Sequence, residues 1–332
     1  KAAYQVEEYP NIIYILADDL GYGDVSVFNA QGKIHTPQID RMASEGMRFT
    51  DAHSSSAVCT PSRYSVLTGR YCWRTPLKEW VLWGFEPPLI DPQRQTVASL
   101  LKEQGYATAA IGKWHLGLGW TTLDGNPPLE DGVNVDYQAP IHGGPRQLGF
   151  DTNFNITGSL DMAPYCFIED DHVFQVPTIE KHPYHPQQRS GLMAPGWRDD
   201  QVDLIFTKKA IDFIDQHANH ENDQPFFLYL TPSAPHRPCV PPDFIHRRSQ
   251  AGPRGDMVAL VDWMVGQIDA ALRQHGMVEN TLMIVTSDNG ARATDFYGND
   301  YGHKSCGDLR GQKADIWDGG HRERIVERGP GM

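Results

Sequence analysis

Short apolar runs alternate with segments of helical periodicity along most of the chain. Apolar runs bounded by turn residues predict buried strands at residues 11–17, 107–111, 226–230 and 281–286. Apolar residues at helical spacing predict helices at residues 36–45, 96–104, 202–216 and 257–276. This alternation favours an α/β fold with a mainly parallel central sheet flanked by helices.

Residues 117–196 lack such a pattern and are rich in Pro, Gly, His and Asp. We predict that this stretch is mostly irregular, and long loops inside a compact domain are commonly functional. The sequence contains no internal repeat, low-complexity tract or flexible linker. A single α/β domain over residues 1–332 is therefore expected.

Composition argues against some classes of partner. The formal net charge of −13 argues against nucleic acid and against an anionic membrane surface. An anionic substrate stays possible, because a local cluster of cations can reverse the sign of charge inside a cleft. The apolar runs are far shorter than the roughly 20 residues of a membrane span. No signal peptide stands at the N-terminus, so the protein is cytosolic or its signal has been removed.

Charged or imidazole side chains follow all of the predicted strands. These residues are Asp18 and Asp19, Lys113 and His115, His236, and Asp288 and Asn289. Ligands bind beyond the carboxyl ends of strands in open α/β sheets, so we expect one convergent site. Each residue alone has an ordinary alternative as a cap, turn or surface residue. Three carboxylates and a carboxamide form an oxygen-rich set that suits Ca²⁺ or Mg²⁺ rather than zinc.

Small polar residues followed by Pro61 predict a helix that begins near Cys59. A helix N-terminus favours anions and lowers the pKa of a thiol. Arg63 is expected about one turn further along the same face. A structural cysteine buried at the start of a helix is the alternative that composition alone would favour, and the five cysteines show no zinc-like spacing.

Residues 59–70, CTPSRYSVLTGR, match the sulfatase signature C-x-P-S-R-x-x-x-L-T-G-R at every fixed position. Other segments that resemble this family follow in the expected order: LADDLGYGD, GKWHLG, the PH pair ending at His236, SDNG, and LRGQKADIWDGG with Lys313. The resemblance spans residues 11 to about 322. It implies an alkaline-phosphatase-like fold and the hydrolysis of sulfate esters.

The resemblance also implies a mechanism. A formylglycine-generating or anaerobic maturase would oxidise Cys59 to formylglycine, whose hydrate attacks sulfur and gives a covalent sulfo-enzyme. The implied ligands of the metal, Ca²⁺ in preference to Mg²⁺, are Asp18, Asp19, Asp288, Asn289 and modified Cys59. The remaining implied roles are polarisation of the hydrate by Arg63, sulfate binding by Lys113 and Lys313, base catalysis by His115 and acid catalysis by His236.

Substrate and location follow from the resemblance only in outline. A sulfated small molecule or glycan is implied, with a sulfated carbohydrate favoured, and export to the periplasm, extracellular space or lysosome is expected. Loop residues that could reach the cleft and bind substrate are His142, Tyr165, Asp171, His172, Trp197, Arg198, Tyr301 and His303.

The chain departs from the family pattern after Gly320, where the usual proline and further strand are replaced by a charged segment. We therefore expect the small C-terminal subdomain of the family to be missing from this chain or not represented in it. Two alternatives stay open. A phosphate or phosphonate monoester hydrolase of the same superfamily would use the same signature, and a non-catalytic binding protein would result if Cys59 remained a thiol.

Overall fold

A twisted central sheet organises the computed structural model, which describes residues 9–184, 186–219, 224–294, 299 and 301–332. The strands in this part of the chain are β1 (Asn11–Ala17), β2 (Met47–His53), β3 (Ala107–Lys113), β4 (Thr152–Ile156), β5 (Ile168–Glu169), β6 (His172–Val173), β7 (Ile179–Lys181), β8 (Gly191–Met193), β9 (Phe226–Thr231), β10 (Thr281–Ser287) and β11 (Arg322–Arg328). The α-helices are α1 (Pro37–Glu45), α2 (Cys59–Thr68), α3 (Val97–Glu103), α4 (Val202–Ala218), α5 (Gly252–Gln274) and α6 (Asp318–His321). None of these helices is long and apolar enough to span a membrane.

Parallel strands form the middle of the sheet in the order β10-β1-β9-β3-β4. Antiparallel β11 and β2 extend one side of this group, and β5 and β6 extend the other. The predicted strands are all present and are neighbours. The predicted α/β fold with a mainly parallel sheet is therefore confirmed.

Successive side chains along the middle strands point to opposite faces of the sheet and pack into two separate cores. Ile13 and Ile15 of β1 pack with α1, α4 and α5 on one face, whereas Leu16 packs with α2 and α3 on the other. Both faces of the parallel strands are thus covered by helices, as such sheets require. A sheet fixed from both sides is a rigid support for residues at the strand ends.

The prediction of an irregular stretch at residues 117–196 is wrong at its centre, where β4 pairs in parallel with β3. Its sequence TNFNI has no apolar run because buried asparagines take strand positions. Asn155, for example, donates through Nδ2 to the carbonyl of Gly112 at 3.0 Å. The charged segment after Gly320 is also a strand, β11, inserted between β10 and β2.

We expect Asp262→Asn to change stability in a pH-dependent way. Asp262 on α5 accepts hydrogen bonds through Oδ1 from the N–H groups of Gln38 and Ile39, at 3.0 and 2.9 Å, in the first turn of α1. Burial raises the pKa of Asp262 to about 7. The folded state therefore holds this proton more tightly than the unfolded state, and the group's contribution to stability falls as pH rises from about 4 through 7. The asparagine variant keeps the hydrogen-bond acceptor without the charge. Its free energy of unfolding should therefore rise relative to that of wild type as pH increases over that range.

Urea unfolding across this pH range measures the difference in unfolding free energy. Asp262→Ala is the control, since it also removes the acceptor and should cost about 1–2 kcal/mol. If the unfolding free energies of wild type and Asp262→Asn changed with pH in parallel, a raised pKa of Asp262 would be contradicted.

Candidate active site

Strands β1 and β10 end in register, with Ala17 beside Ser287, so the residues that follow them lie together. The N–H of Asp19 donates to Asp288 Oδ1 at 3.2 Å, and Asn289 Nδ2 donates to Asp19 Oδ1 at 2.7 Å. Asp19 has a φ of 70°, a left-handed conformation that is uncommon outside glycine and concentrates at functional turns. The two strand ends therefore form one buried polar cluster.

Two lysines reach the carboxylates that follow β1. Lys113, the last residue of β3, donates through Nζ to Asp18 Oδ2 at 2.7 Å, and Lys313 Nζ lies 2.5 Å from Asp19 Oδ1. Burial alone would raise the pKa of Asp19, but Lys313, His236 and Lys113 outweigh burial and hold it well below its usual range. The Asp19 carboxylate is therefore ionised at neutral pH.

Arg63 connects the helix that begins at Cys59 to the strand ends. Its Nε and Nη2 donate to Asp288 Oδ2 at 2.9 and 2.7 Å, and Nη1 donates to the carbonyl of Lys113 at 3.1 Å. Nη2 also lies 3.7 Å from Asp18 Oδ1. Burial opposes the charge on this guanidinium, but Asp288 and Asp18 outweigh it and raise its pKa. Arg63 is thus fully buried and charged, and its hydrogen bonds and ion pairs connect α2 to the ends of β1, β3 and β10.

Cys59 is the first residue of α2, as predicted, and the N-cap residue of this helix, Val58, makes no side-chain hydrogen bond to it. Its Sγ lies 3.4 Å from Lys313 Nζ. The predicted lowering of the thiol pKa is wrong. Burial raises the pKa of Cys59 to about 11 although Lys113 and Lys313 act in the opposite direction. A protonated thiol at neutral pH is a poor nucleophile.

Both predicted histidines are buried and neutral. His115 Nε2 donates to the carbonyl of Leu82 at 2.7 Å, and its Nδ1 has no hydrogen-bond partner among the described residues. His236 Nδ1 donates to the carbonyl of Arg237 at 2.7 Å, which leaves Nε2 3.8 Å from Asp19 Oδ2. Burial, followed by a nearby lysine ammonium, lowers both pKa values, that of His236 to about 4. Each ring therefore presents one unprotonated nitrogen to the site.

These groups face a cavity of about 440 Å³, a volume suited to a small ligand. Its lining includes Asp19, Cys59, His115, His236 and Lys313. A larger cavity of about 610 Å³ lies against α1 and α5 and contains none of these side chains. We assign the active site to the smaller cavity because the ionisable groups converge there.

The sequence matches the family model described as Sulfatase over residues 10–331. The chain belongs to the sulfatase family. The predicted resemblance is therefore confirmed across nearly the whole sequence.

Named sulfatases are similar to this chain over most of its length. An N-acetylgalactosamine-6-O-sulfatase of Bacteroides thetaiotaomicron is 35% identical over 98% of this chain and 68% of its own length. Human arylsulfatase A is 30% identical over 99% of this chain and 61% of its own length. This chain thus spans about two thirds of the length of these relatives.

Solved sulfatase structures share the fold. A Bacteroides thetaiotaomicron structure, titled for the metabolism of multiple glycosaminoglycans, has a TM-score of 0.84 and 32% identity, covering 97% of this chain and 72% of its own. A sulfatase from a Pseudoalteromonas species has a TM-score of 0.73 and 26% identity, covering 98% of this chain and 63% of its own.

Donor atoms in the sulfatase site fit a divalent cation. Asp18 Oδ1 and Asn289 Oδ1 are buried and accept no hydrogen bond from the described residues. Ligand atoms of Asp18, Asp19, Cys59 and His236 lie within 4.8 Å of one another. Open carboxylate and amide oxygens are ligands that Ca²⁺ and Mg²⁺ prefer. Three of the predicted ligands, Asp18, Asp19 and Cys59, therefore lie in one cluster with His236, Asn289 contacts Asp19, and Asp288 is paired with Arg63 outside that cluster.

Most of the substrate-binding residues predicted from the loops lie elsewhere. Tyr301 lines the cavity, but the lining contains none of the others, namely His142, Tyr165, Asp171, His172, Trp197, Arg198 and His303. Several of these have structural partners. His303 Nε2 lies 2.9 Å from Asp24 Oδ1, Trp197 Nε1 donates to Asp199 Oδ1 at 2.6 Å, and Arg198 pairs with Asp200 on the surface.

Residues after β4 reach the site and were missed. Ser159 Oγ accepts a hydrogen bond from Lys113 Nζ at 2.6 Å, and both Ser159 and Asp161 line the cavity. The signal that identified the other site residues, a polar group after a predicted strand, failed here because β4 itself was not predicted.

We expect Ca²⁺ to raise the Tm of this sulfatase chain, because the open oxygens gain a ligand only in the folded state. A hundredfold excess over Kd would stabilise by about 2.7 kcal/mol. Asp18→Asn removes one ligand charge and should cut the calcium-dependent rise by more than half. Calorimetry in CaCl₂ and in EDTA measures both.

Asp212→Asn is the matched control, since Asp212 is an exposed carboxylate paired with Lys208 on α4. An equal calcium-dependent rise in the Asp18 and Asp212 variants would overturn the assigned cation site.

Proposed function

We propose that this protein hydrolyses the sulfate esters of sulfated carbohydrates, using formylglycine made from Cys59 and a bound Ca²⁺. The observation that carries the proposal is the position of Cys59. Its Sγ lies with the ligand atoms of Asp18, Asp19 and His236 in one cluster, 3.4 Å from the ammonium of Lys313. A buried, protonated thiol has little use as a nucleophile at this position, whereas an oxygen function would be both a metal ligand and a nucleophile.

Charge balance supports a cation in the proposal. The buried carboxylates Asp18, Asp19 and Asp288 are matched one for one by Lys113, Lys313 and Arg63. The side chains alone therefore offer little net charge to a sulfate monoester. A divalent ion held by the carboxylates and Asn289 would supply that charge and polarise the oxygen at position 59. An anionic ester could then enter the cleft of a chain whose formal net charge is −13.

The remaining residues have roles that follow from their contacts. The hydrate of formylglycine, once formed, supplies a nucleophilic hydroxyl. Lys113 and Lys313 can donate to sulfate oxygens, where charge resides in the transition state. His115 Nδ1 is an unoccupied proton acceptor beside Lys113, which suits a base. His236 Nε2, which faces Asp19 and is unprotonated in the free site, is proposed to take up a proton from solvent before the ester reacts and to pass it to the leaving alcohol.

The carbohydrate assignment is supported by the relatives. One similar protein is named an N-acetylgalactosamine-6-O-sulfatase, and one similar structure is titled for glycosaminoglycan metabolism. Maturation by a formylglycine-generating or anaerobic enzyme, export from the cytosol, and a single catalytic domain over residues 1–332 are parts of the same proposal.

We expect mass spectrometry of the Cys59 peptide from active protein to show a loss of about 18 Da, the change from thiol to aldehyde. Cys59→Ala should abolish turnover of 4-nitrophenyl sulfate while keeping the Tm close to wild type. Cys239→Ala is the control, since this second cysteine lies in the same cavity wall but outside the cation cluster.

Full activity in Cys59→Ala, or in protein whose Cys59 is an unmodified thiol, would overturn the nucleophile assignment. Faster hydrolysis of 4-nitrophenyl phosphate than of the sulfate would instead indicate a phosphoester hydrolase.

We expect His236→Ala to lower kcat by about 10²–10⁴-fold on alkyl sulfates, because a poor leaving group needs its proton. The loss on 4-nitrophenyl sulfate should be much smaller, since that leaving group departs as a stable anion. Parallel kinetics on the two esters measure the difference. Equal losses would mean that His236 does not protonate the leaving group.

A further inference from the structure

The turn that follows β4 joins the sulfate end of the cavity to its outer wall. Ser159 accepts the hydrogen bond of Lys113, while Asp161, two residues later, lines the same cavity. The N–H of Met162 donates to the carbonyl of Ser159 at 3.3 Å, which closes the turn. The position of Asp161 is therefore fixed relative to the reacting group.

Asp161 and Arg237 each have one buried polar atom without a hydrogen-bond partner among the described residues. Asp161 is only 4% exposed, and its Oδ1 accepts no hydrogen bond from the described residues. Its Oδ2 lies 3.7 Å from Arg189 Nη1 and 3.8 Å from Arg237 Nε. Arg237 Nε likewise has no hydrogen-bond partner in the described chain. A buried acceptor and a buried donor without described partners, on two side chains that line the cavity, suit a hydroxyl group, which both donates and accepts.

Aromatic residues flank this pair. Trp80 and Trp83 line the cavity and are 58% and 41% exposed. Trp80 has a φ of 64°, a costly conformation for a large side chain. Their loop is fixed to the site, because the N–H of Leu82 donates to Thr60 Oγ1 at 3.2 Å and its carbonyl accepts from His115.

Arg189 links the aromatic and polar parts of this wall. Its guanidinium carbon lies 4.2 Å from the ring centroid of Trp83, and its backbone N–H donates to the carbonyl of Asp161 at 2.9 Å. A flat apolar face beside a donor and an acceptor matches a pyranose ring, which has one apolar face and a rim of hydroxyls.

Building on the function proposed above, we propose that Asp161, Arg189 and Arg237, with Trp80 and Trp83, bind the sugar ring that carries the sulfate. Asp161 accepts a hydrogen bond from a ring hydroxyl near the ester, and Arg237 donates to the same or the adjacent oxygen. The wall thereby selects polyhydroxylated leaving groups over aromatic ones.

The test compares kcat/KM for monosulfated hexoses and N-acetylhexosamines, one for each sulfated position, with that for 4-nitrophenyl sulfate. We expect at least one sugar to be preferred. For that sugar, Asp161→Ala should lower kcat/KM at least about tenfold more than for the aryl sulfate, because a site built for a hydroxyl loses discrimination without its acceptor. Deoxy analogues of the preferred sugar then identify the hydroxyl. Removing that hydroxyl should lower the kcat/KM of wild type at least about tenfold and should leave the kcat/KM of Asp161→Ala almost unchanged.

Arg237→Gln provides a second variant if Asp161→Ala does not fold, and Asp212→Asn provides a surface control. Equal losses on sugar and aryl esters in the folded variants would overturn the sugar subsite, as would wild-type activity confined to the aryl ester. Absence of wild-type activity on every sulfate ester, with Cys59 converted, would instead overturn the proposed function.

Discussion

The buried guanidinium of Arg63 joins the helix that carries Cys59 to the ends of three strands. It donates twice to Asp288 after β10, once to the last carbonyl of β3, and approaches Asp18 after β1. Removing one member of such a buried pair costs about 3–5 kcal/mol, because a charge is then left without compensation. The position of Cys59 relative to the carboxylates depends on this one side chain more than on any contact of Cys59 itself.

Charge compensation gives the same residues two roles. Lys113 and Lys313 neutralise Asp18 and Asp19 in the protein alone, Lys313 lines the cavity that an anionic ester would occupy, and Lys113 lies buried behind Ser159, which lines the same cavity. A cation on the carboxylates would release them to the sulfate. Under the proposed function, cation binding and sulfate binding would be coupled through the two lysines.

Sequence patterns predicted the site well wherever an apolar strand preceded it. Asp18, Lys113, His236 and Asp288 were identified because β1, β3, β9 and β10 are continuous apolar runs that end in polar groups. The strand β4, with its buried asparagines, has no such run, and Ser159 and Asp161 were missed with it.

Loop residues were poorly predicted for a related reason. His303 and Trp197 were chosen by residue type, but their partners, Asp24 and Asp199, come from distant or unpatterned segments. The local sequence of a loop does not specify which way its side chains point. The elevated pKa of Cys59 was also missed, because burial depends on the completed fold.

The order of the strands also determines when the site can assemble during synthesis. The central strand β1 is made first, yet its two neighbours begin only at Phe226 and Thr281. At about 5–20 residues per second, β1 waits roughly ten seconds to a minute for a partner. Cys59 emerges during that wait and is only 2% exposed once the sheet is complete. Under the proposed function, an enzyme that converts this thiol would have to act on the growing or newly released chain, and the rate of folding would set the time available for activation.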